Sequence, residues 1–185
     1  MLKQIYKETE DRMLKAVEAI NREMTGVRTG KASPKMLDGI KVEYYGTPTP
    51  LNQVASISTP DPKTLVIQPW EKTVIPEIIK AIQKSDLGLN PIPDNNVVRL
   101  PIPPLNQERR QEMGKLVKKI GEDGKIAIRN TRRDILDKLK KAEKDSEITE
   151  DDLKTAQKQV QDYTDKYIEK ISEIIKHKEQ EVMEI

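Results

Sequence analysis

The chain has no cysteine, no phenylalanine, one tryptophan and one histidine. Without cysteine there is neither a disulfide nor a thiolate metal site, which fits a reducing compartment. The histidine, His177, stands between Lys176 and Lys178 and reads as a surface residue whose charge suits a helix C-terminus. A Ser–His or Cys–His nucleophile pair therefore has no support, and no His/Cys cluster has metal-ligand spacing. Aromatic residues make up 3% of the 185 residues and charged ones 35%, a balance that favours elongated helices around a thin core. No apolar run approaches the roughly 20 residues that span a bilayer. Met1–Glu8 is amphipathic and charged, unlike a signal peptide. The expectation is a soluble, cytoplasmic, monomeric protein that needs no cofactor and no metal.

Proline is also missing from most of the chain. All twelve prolines fall between Pro34 and Pro104. Proline costs roughly 3 kcal/mol inside a helix, so residues 1–30 and 105–185 are free to be helical and the middle mostly is not. This predicts a small domain, residues 31–104, inserted into a helical one made of 1–30 and 105–185. In the first flank Tyr6, Met13, Val17, Ile20, Met24 and Val27 recur on one helical face, predicting a helix over about 2–28 with Gly30 at its exit. In the second, Met113, Val117, Ile120, Gly124, Ala127, Thr131, Ile135, Leu139 and Ala142 mark a helix over about 106–144. Gly124 in that stripe has two readings, a close helix approach or a tolerated weak spot costing about 1 kcal/mol relative to Ala, a cost that Gly121 shares. The third helix opens at Thr149, with Asp152 three residues on as a capping-box variant and Ile148 and Leu153 placed as a hydrophobic staple. Its stripe is Leu153, Ala156, Val160, Tyr163, Tyr167, Ile171 and Ile174. Each helix must bury its face, so the reading is a long antiparallel three-helix bundle.

The middle alternates instead. Ile40–Tyr45, Gln53–Ser58, Thr64–Gln68 and Val97–Leu100 are strand candidates, and Thr73–Ser85 reads as a short helix with Pro76 in its first turn. The fold class is α+β with two domains. They are joined by hinges at Thr29, Gly30 and Lys31 and at Pro101, Ile102, Pro103 and Pro104, where relative motion is the default expectation.

Two apparent motifs dissolve on inspection. Gly26–Ser33 has three residues between its glycines and Ala32 after Lys31, where a phosphate loop needs four and Ser or Thr, and it follows a helix rather than a strand. Asp86–Pro91 lacks calcium-loop spacing and reads as a helix C-terminal turn.

What remains is charge segregation. Residues 105–146 carry 13 Lys/Arg against 8 Asp/Glu, and residues 149–185 carry 6 against 10. Along the second long helix Arg129 falls opposite the apolar stripe. Lys118, Lys125, Arg133 and Lys140 lie within about 40° of it and Arg132 about 60° to one side, at about 100° per residue. Arg28, at the end of the first helix, is placed to join them. A solvated helix face is the ordinary meaning of such a run. Against it stand the choice of Arg, whose fork fits phosphate oxygens, the few interleaved carboxylates and the acidic partner helix. A rod of guanidinium groups without exposed stacking aromatics suits the backbone or shape of RNA rather than its bases, with steep salt dependence.

The residues then resemble a known family along the whole chain. Val27-Arg28-Thr29-Gly30-Lys31-Ala32-Ser33-Pro34, Leu37–Leu51, Asp86–Pro91, Leu100–Arg110 and Ile128–Asp134 are similar, in order and spacing, to the bacterial ribosome recycling factors. The resemblance implies an L-shaped molecule with a three-helix arm and a small β/α/β arm. It also implies a function: with elongation factor G, which hydrolyses the GTP, such a factor splits the ribosome after termination and frees messenger RNA and deacylated transfer RNA. It implies further that the bundle lies on large-subunit ribosomal RNA near the peptidyl-transferase region and an intersubunit bridge. By motif, RNA contact falls to Arg132 first, then Arg129 and Arg133, with Arg28 secondary; Lys125 joins them only by its place on the basic ridge. The competing expectations are a coiled-coil chaperone or scaffold, which would expose apolar surface and not depend on Arg132, and a stand-alone GTPase or hydrolase, which the sequence argues against.

Overall fold

The computed structural model describes residues 1–184. In chain order the elements are α1 (Leu2–Thr25), β1 (Lys41–Tyr44), β2 (Thr47–Pro50), α2 (Leu51–Val54), β3 (Ala55–Asp61), β4 (Thr64–Pro69), α3 (Ile75–Lys84), β5 (Ile92–Asp94), β6 (Val97–Pro101), α4 (Gln107–Lys144) and α5 (Glu150–Met183). They form two compact units, Met1–Val27 with Gln111–Glu184, and Arg28–Arg110. Arg28–Gly30 and Leu105–Arg110, read from the sequence with the helical flanks, thus group with the smaller unit.

In the helical unit three apolar layers follow one another. Ile5 of α1 meets Ile135, Leu139, Ala156 and Val160; Met13 and Val17 meet Ile128, Tyr167 and Ile171; Ile20 and Met24 meet Val117, Ile120 and Val182. The order of the layers makes α1 and α5 parallel to each other and antiparallel to α4. Polar positions inside this core satisfy themselves. Thr9, Thr131 and Thr164 are buried, and each hydroxyl donates to the carbonyl four residues back, of Ile5, Ala127 and Val160, at 2.7, 3.1 and 2.8 Å.

The helix ends follow local chemistry. α1 stops at Thr25 rather than near residue 28, because the Thr25 hydroxyl takes the Arg22 carbonyl (2.6 Å) and Gly26 closes the last turn on Glu23 and Met24. α4 begins after Asn106, whose side chain accepts the Arg109 N–H at 2.8 Å and so caps the helix. It ends where Ser146 adopts a φ of 61° and the Glu147 N–H reaches the Ala142 carbonyl at 2.8 Å. The expected capping box of α5 is present: Thr149 Oγ1 accepts the Asp152 N–H (3.1 Å) and the Asp152 carboxylate accepts the Thr149 N–H (3.0 Å). The staple residues Ile148 and Leu153 belong to one apolar cluster.

Three stripe assignments shift by one residue. In α1 the buried residue is Ile5, with Tyr6 only partly buried; the other two lie in α4 and α5. Ile128, not Ala127, is buried in α4, and Thr164, not Tyr163, in α5. In α4 and α5 a four-residue step keeps the seam on the core, and the sequence pattern alone does not distinguish it from a three-residue step. Gly124 resolves as a close approach. A Cβ there would stand 2.5 Å from Ile20 Cγ1 and 3.3 Å from Ile171 Cδ1, so α4 comes against both neighbours at that point.

The smaller unit holds an antiparallel sheet, ordered β3-β4-β6-β5, and a separate β1-β2 hairpin. Leu65 faces Leu100 and Ile67 faces Val98 across β4 and β6, and Ile78 and Ile82 of α3 join them in one core. Sequence reading found β1, β3, β4, β6 and α3 but missed β2 and β5. β2 reads Thr47-Pro48-Thr49-Pro50, which looks like a loop. Prolines two apart turn their nitrogens to the same, unpaired side, so the strand survives at an edge. Residues 51–54, expected to begin a strand in part, form one helical turn. Tyr45 and Gly46, at φ 49° and 78°, supply the left-handed turn that closes the hairpin.

Candidate nucleic-acid interface

α4 presents the arginines because its apolar seam fixes its rotation. Arg129 and Arg133 are exposed and one turn apart. Among the described residues neither has a hydrogen bond or an ion pair. Asp134, the carboxylate next to Arg133, is drawn off by α1: Arg12 donates to it at 2.7 Å. Arg129, Arg132, Arg133 and Lys140 line a shallow concavity together with Asn130, Leu136 and Asp137. Four cations stand there against one carboxylate, so the local field favours an anion.

Arg132 is held differently from its neighbours. It is half-buried and reaches toward α5, where Nη1 donates to Gln161 Oε1 at 2.9 Å. Its Nε–H is shut off from solvent with no acceptor, an arrangement that costs about 1–3 kcal/mol. Gln161 in turn donates to Asp165 Oδ1 at 2.8 Å. The sequence put Arg132 to one side of the ridge, but nothing in it singled out Gln161. A glutamine on an exposed helix face carries no signal until the facing helix is placed.

The outlying cations of the ridge are less available. Lys125 keeps only 19% of its side chain exposed and lies 3.7 Å from Glu122. Lys118 pairs with Glu179 of α5 at 3.8 Å. Arg28 does not extend α1. It lies in the smaller unit and donates to the Leu87 carbonyl at 3.2 Å. The arrangement therefore centres on Arg129, Arg132, Arg133 and Lys140.

At the expected hinges, Gly30 has a φ of 77° and an added Cβ would approach the Leu105 nitrogen at 3.4 Å. Pro101 is the last residue of β6, paired with Thr64. Ile102 is buried in the sheet core, its N–H on the Lys63 carbonyl at 2.7 Å. Pro103–Asn106 lie outside regular structure.

The smaller unit carries an exposed aromatic group that sequence reading passed over. Tyr44 and Tyr45 donate their hydroxyls to the two oxygens of Glu71 at 3.0 and 2.9 Å, with their rings edge-on at 4.5 Å. The hydrogen bonds to the carboxylate hold both phenols above their ordinary pKa. The ring of Trp70, next to Glu71, is also exposed. Among the described residues no group of His, Asp or Glu has metal-binding geometry, and no helix is long and apolar enough to cross a membrane.

Three long helices with a small α+β insertion and an anion-attracting helix face define a binding factor. The comparisons give the family. Residues 20–183 match the family model described as ribosome recycling factor, and the chain belongs to that family. It is 54% identical to the ribosome-recycling factor of Bacillus licheniformis over 185 residues, the full length of both chains. It is 52% identical to that of Acetivibrio thermocellus over 180 residues, covering 97% of this chain and 98% of the other. Its fold is similar to a solution structure of a ribosome recycling factor (TM-score 0.78, 41% identity, covering 100% of this chain and 98% of the other). It is also similar to a model of the T. thermophilus factor that was bound, with E. coli elongation factor G, to the E. coli post-termination complex (TM-score 0.68, 44% identity, full coverage of both). Members of this family are non-enzymatic factors.

Proposed function

We propose that the chain recycles ribosomes in the cytoplasm by anchoring its helical unit to large-subunit ribosomal RNA through α4. With elongation factor G, it then separates the subunits and releases messenger RNA and deacylated transfer RNA. Arg132, Arg129 and Arg133 grip backbone phosphates, Lys140 adds to the field, and Lys125 and Arg28 are peripheral. The translocase acts on the smaller unit and hydrolyses the GTP. The joint near Thr29–Lys31 and Pro101–Pro104, inside the smaller unit and close to where the chain enters and leaves it, sets how far one unit turns against the other.

The observation that carries this reading is the pair Arg129 and Arg133, exposed and, among the described residues, without carboxylate partners, while Lys118, Lys125 and Lys138 of the same helix are paired. Exposed guanidinium groups one turn apart along a straight helix meet successive phosphates without rearrangement. A subunit-splitting assay tests it. Ribosomes, elongation factor G and GTP should yield subunits only when this chain is added, and an Arg129→Ala/Arg133→Ala variant should fail while melting normally. Splitting at wild-type rate by that variant would refute the anchoring role.

A further inference from the structure

We infer that Gln161 of α5 is a positioning residue for Arg132: it fixes the direction of the guanidinium on α4 without neutralising it. The inference rests on the RNA-contact reading of Arg132 above.

The geometry has three parts. Arg132 Nη1 donates to Gln161 Oε1 at 2.9 Å. Gln161 Nε2 donates to Asp165 Oδ1 at 2.8 Å, one turn further along α5. Arg132 Nε is enclosed without an acceptor. A guanidinium only donates and an ionised carboxylate only accepts. An amide placed between them satisfies both in a single orientation, oxygen toward Arg132 and nitrogen toward Asp165. Asp165 thus fixes the amide and the amide fixes the arginine.

The enclosed Nε–H points the same way. An arginine free to rotate would turn that group to water, since leaving a buried donor unpaired is unfavourable. Something must hold Arg132 in this pose, and among the described residues Gln161 supplies its only hydrogen bond.

The choice of an amide matters for function. A carboxylate at 161 would also orient Arg132, but as an ion pair that cancels the charge an RNA phosphate needs. Among the described residues Arg129 and Arg133 have no such tether, so Arg132 is the one arginine of the three whose direction is set before the ligand arrives. Binding then costs less side-chain ordering.

Two measurements on the full chain test this. The first needs no ribosome: guanidinium NMR of Arg132 should show restricted Cζ–Nη rotation that Gln161→Ala releases and Asp165→Ala weakens. An Arg132 signal unchanged in Gln161→Ala would overturn the inference whatever happens on RNA. The second is cosedimentation with ribosomes across a salt series. Gln161→Ala should weaken binding about three- to tenfold, of the order of one ordered hydrogen-bonded side chain, and should do nothing further in an Arg132→Ala background. Gln161→Glu should weaken it as well and lower the salt slope by about 0.7–0.9, the loss of one phosphate contact. Equal effects of Gln161→Ala with and without Arg132 would sink the inference and leave the RNA reading standing. No effect of Arg132→Ala itself would sink both.

Discussion

Gly124 of α4 stands against Ile20 of α1 so closely that a methyl group on the glycine would lie 2.5 Å from Ile20 Cγ1 and 2.7 Å from Cδ1. Ile20 is buried and its χ1 is stiff, so it has nowhere to go. Gly124→Ala is therefore expected to destabilise the protein by about 1–3 kcal/mol through overpacking, although Ala gains about 1 kcal/mol in helix propensity. Gly114, on the same helix, has no such neighbour within 4 Å, and Gly114→Ala is expected to stabilise by up to about 1 kcal/mol. Gly121 faces Ile175 at least as closely; Ile175 is only partly buried but equally stiff at χ1, so Gly121→Ala is expected to destabilise as well. Urea melts of the three variants check the order, and a Gly124→Ala protein as stable as Gly114→Ala would refute it.

The capping box of α5 gives an acid-side prediction. The Thr149 backbone N–H, and then its side chain, hold the Asp152 carboxyl below the ordinary carboxylate range. A depressed folded pKa adds stability that is complete above the unfolded value, near 4, and is lost as pH falls through the folded one. Asp152→Asn should flatten the melting curve against pH below about 4 and change little at pH 7 beyond a constant offset. Thr149→Ala should cost about 1 kcal/mol at neutral pH.

How much of this was legible in the sequence depends on whether the signal was local. The proline distribution and the Thr149–Asp152 spacing are local, and they gave the inserted unit and the start of α5 directly. The three long stripes were found and Thr131 was placed in one of them, but Thr9 and Thr164 were left out, each lying next to a more conspicuous spacing (Tyr6 to Met13, Tyr163); the hydroxyl's bond to the carbonyl four residues back lets all three be buried. β2 was hidden by its two prolines and Gln161 by its ordinariness. The availability of each cation was also hidden, because it depends on which carboxylate another helix brings, as Asp134 shows by pairing with Arg12.

Tyr44 and Tyr45 offer a spectroscopic test of the smaller unit. Hydrogen bonds to Glu71 raise both phenols above their ordinary value of 10.0. Their contribution to stability is therefore full below pH 10 and fades as pH rises through the raised folded values. Glu71→Gln removes the negative charge, and ultraviolet titration should then show two tyrosines ionising at lower pH than in the parent protein. An unchanged titration would mean the phenols do not share that carboxylate in solution.

The proposed anchoring arginines should separate binding from stability. Arg129 and Arg133 are exposed and unpaired among the described residues, so replacing either with Ala should leave the melting temperature within the range of surface changes, about 0.5 kcal/mol. Arg132→Ala should also melt almost normally, because it removes an enclosed donor along with the hydrogen bond to Gln161. Each variant should lose affinity for ribosomes and reduce the salt slope by about 0.7–0.9. A sharp fall in melting temperature for Arg132→Ala would make it a structural residue instead.

The proposed joint is the remaining element of the mechanism, and its residues are not equivalent. Pro101 and Ile102 are built into the sheet unit by strand pairing and burial, so length is adjustable only beyond them, at Pro103–Asn106. Deleting Pro104 shortens this connection without touching the sheet core or the arginines of α4. If the smaller unit must turn while the helical unit stays anchored, that deletion should slow subunit splitting far more than it weakens ribosome binding. Gly30→Val tests the other connection, since a β-branched side chain at φ 77° is strained and meets the backbone of Leu105. Splitting rate and ribosome affinity measured on the same preparations decide the matter: parallel losses in both would assign these residues to binding and remove the joint from the mechanism.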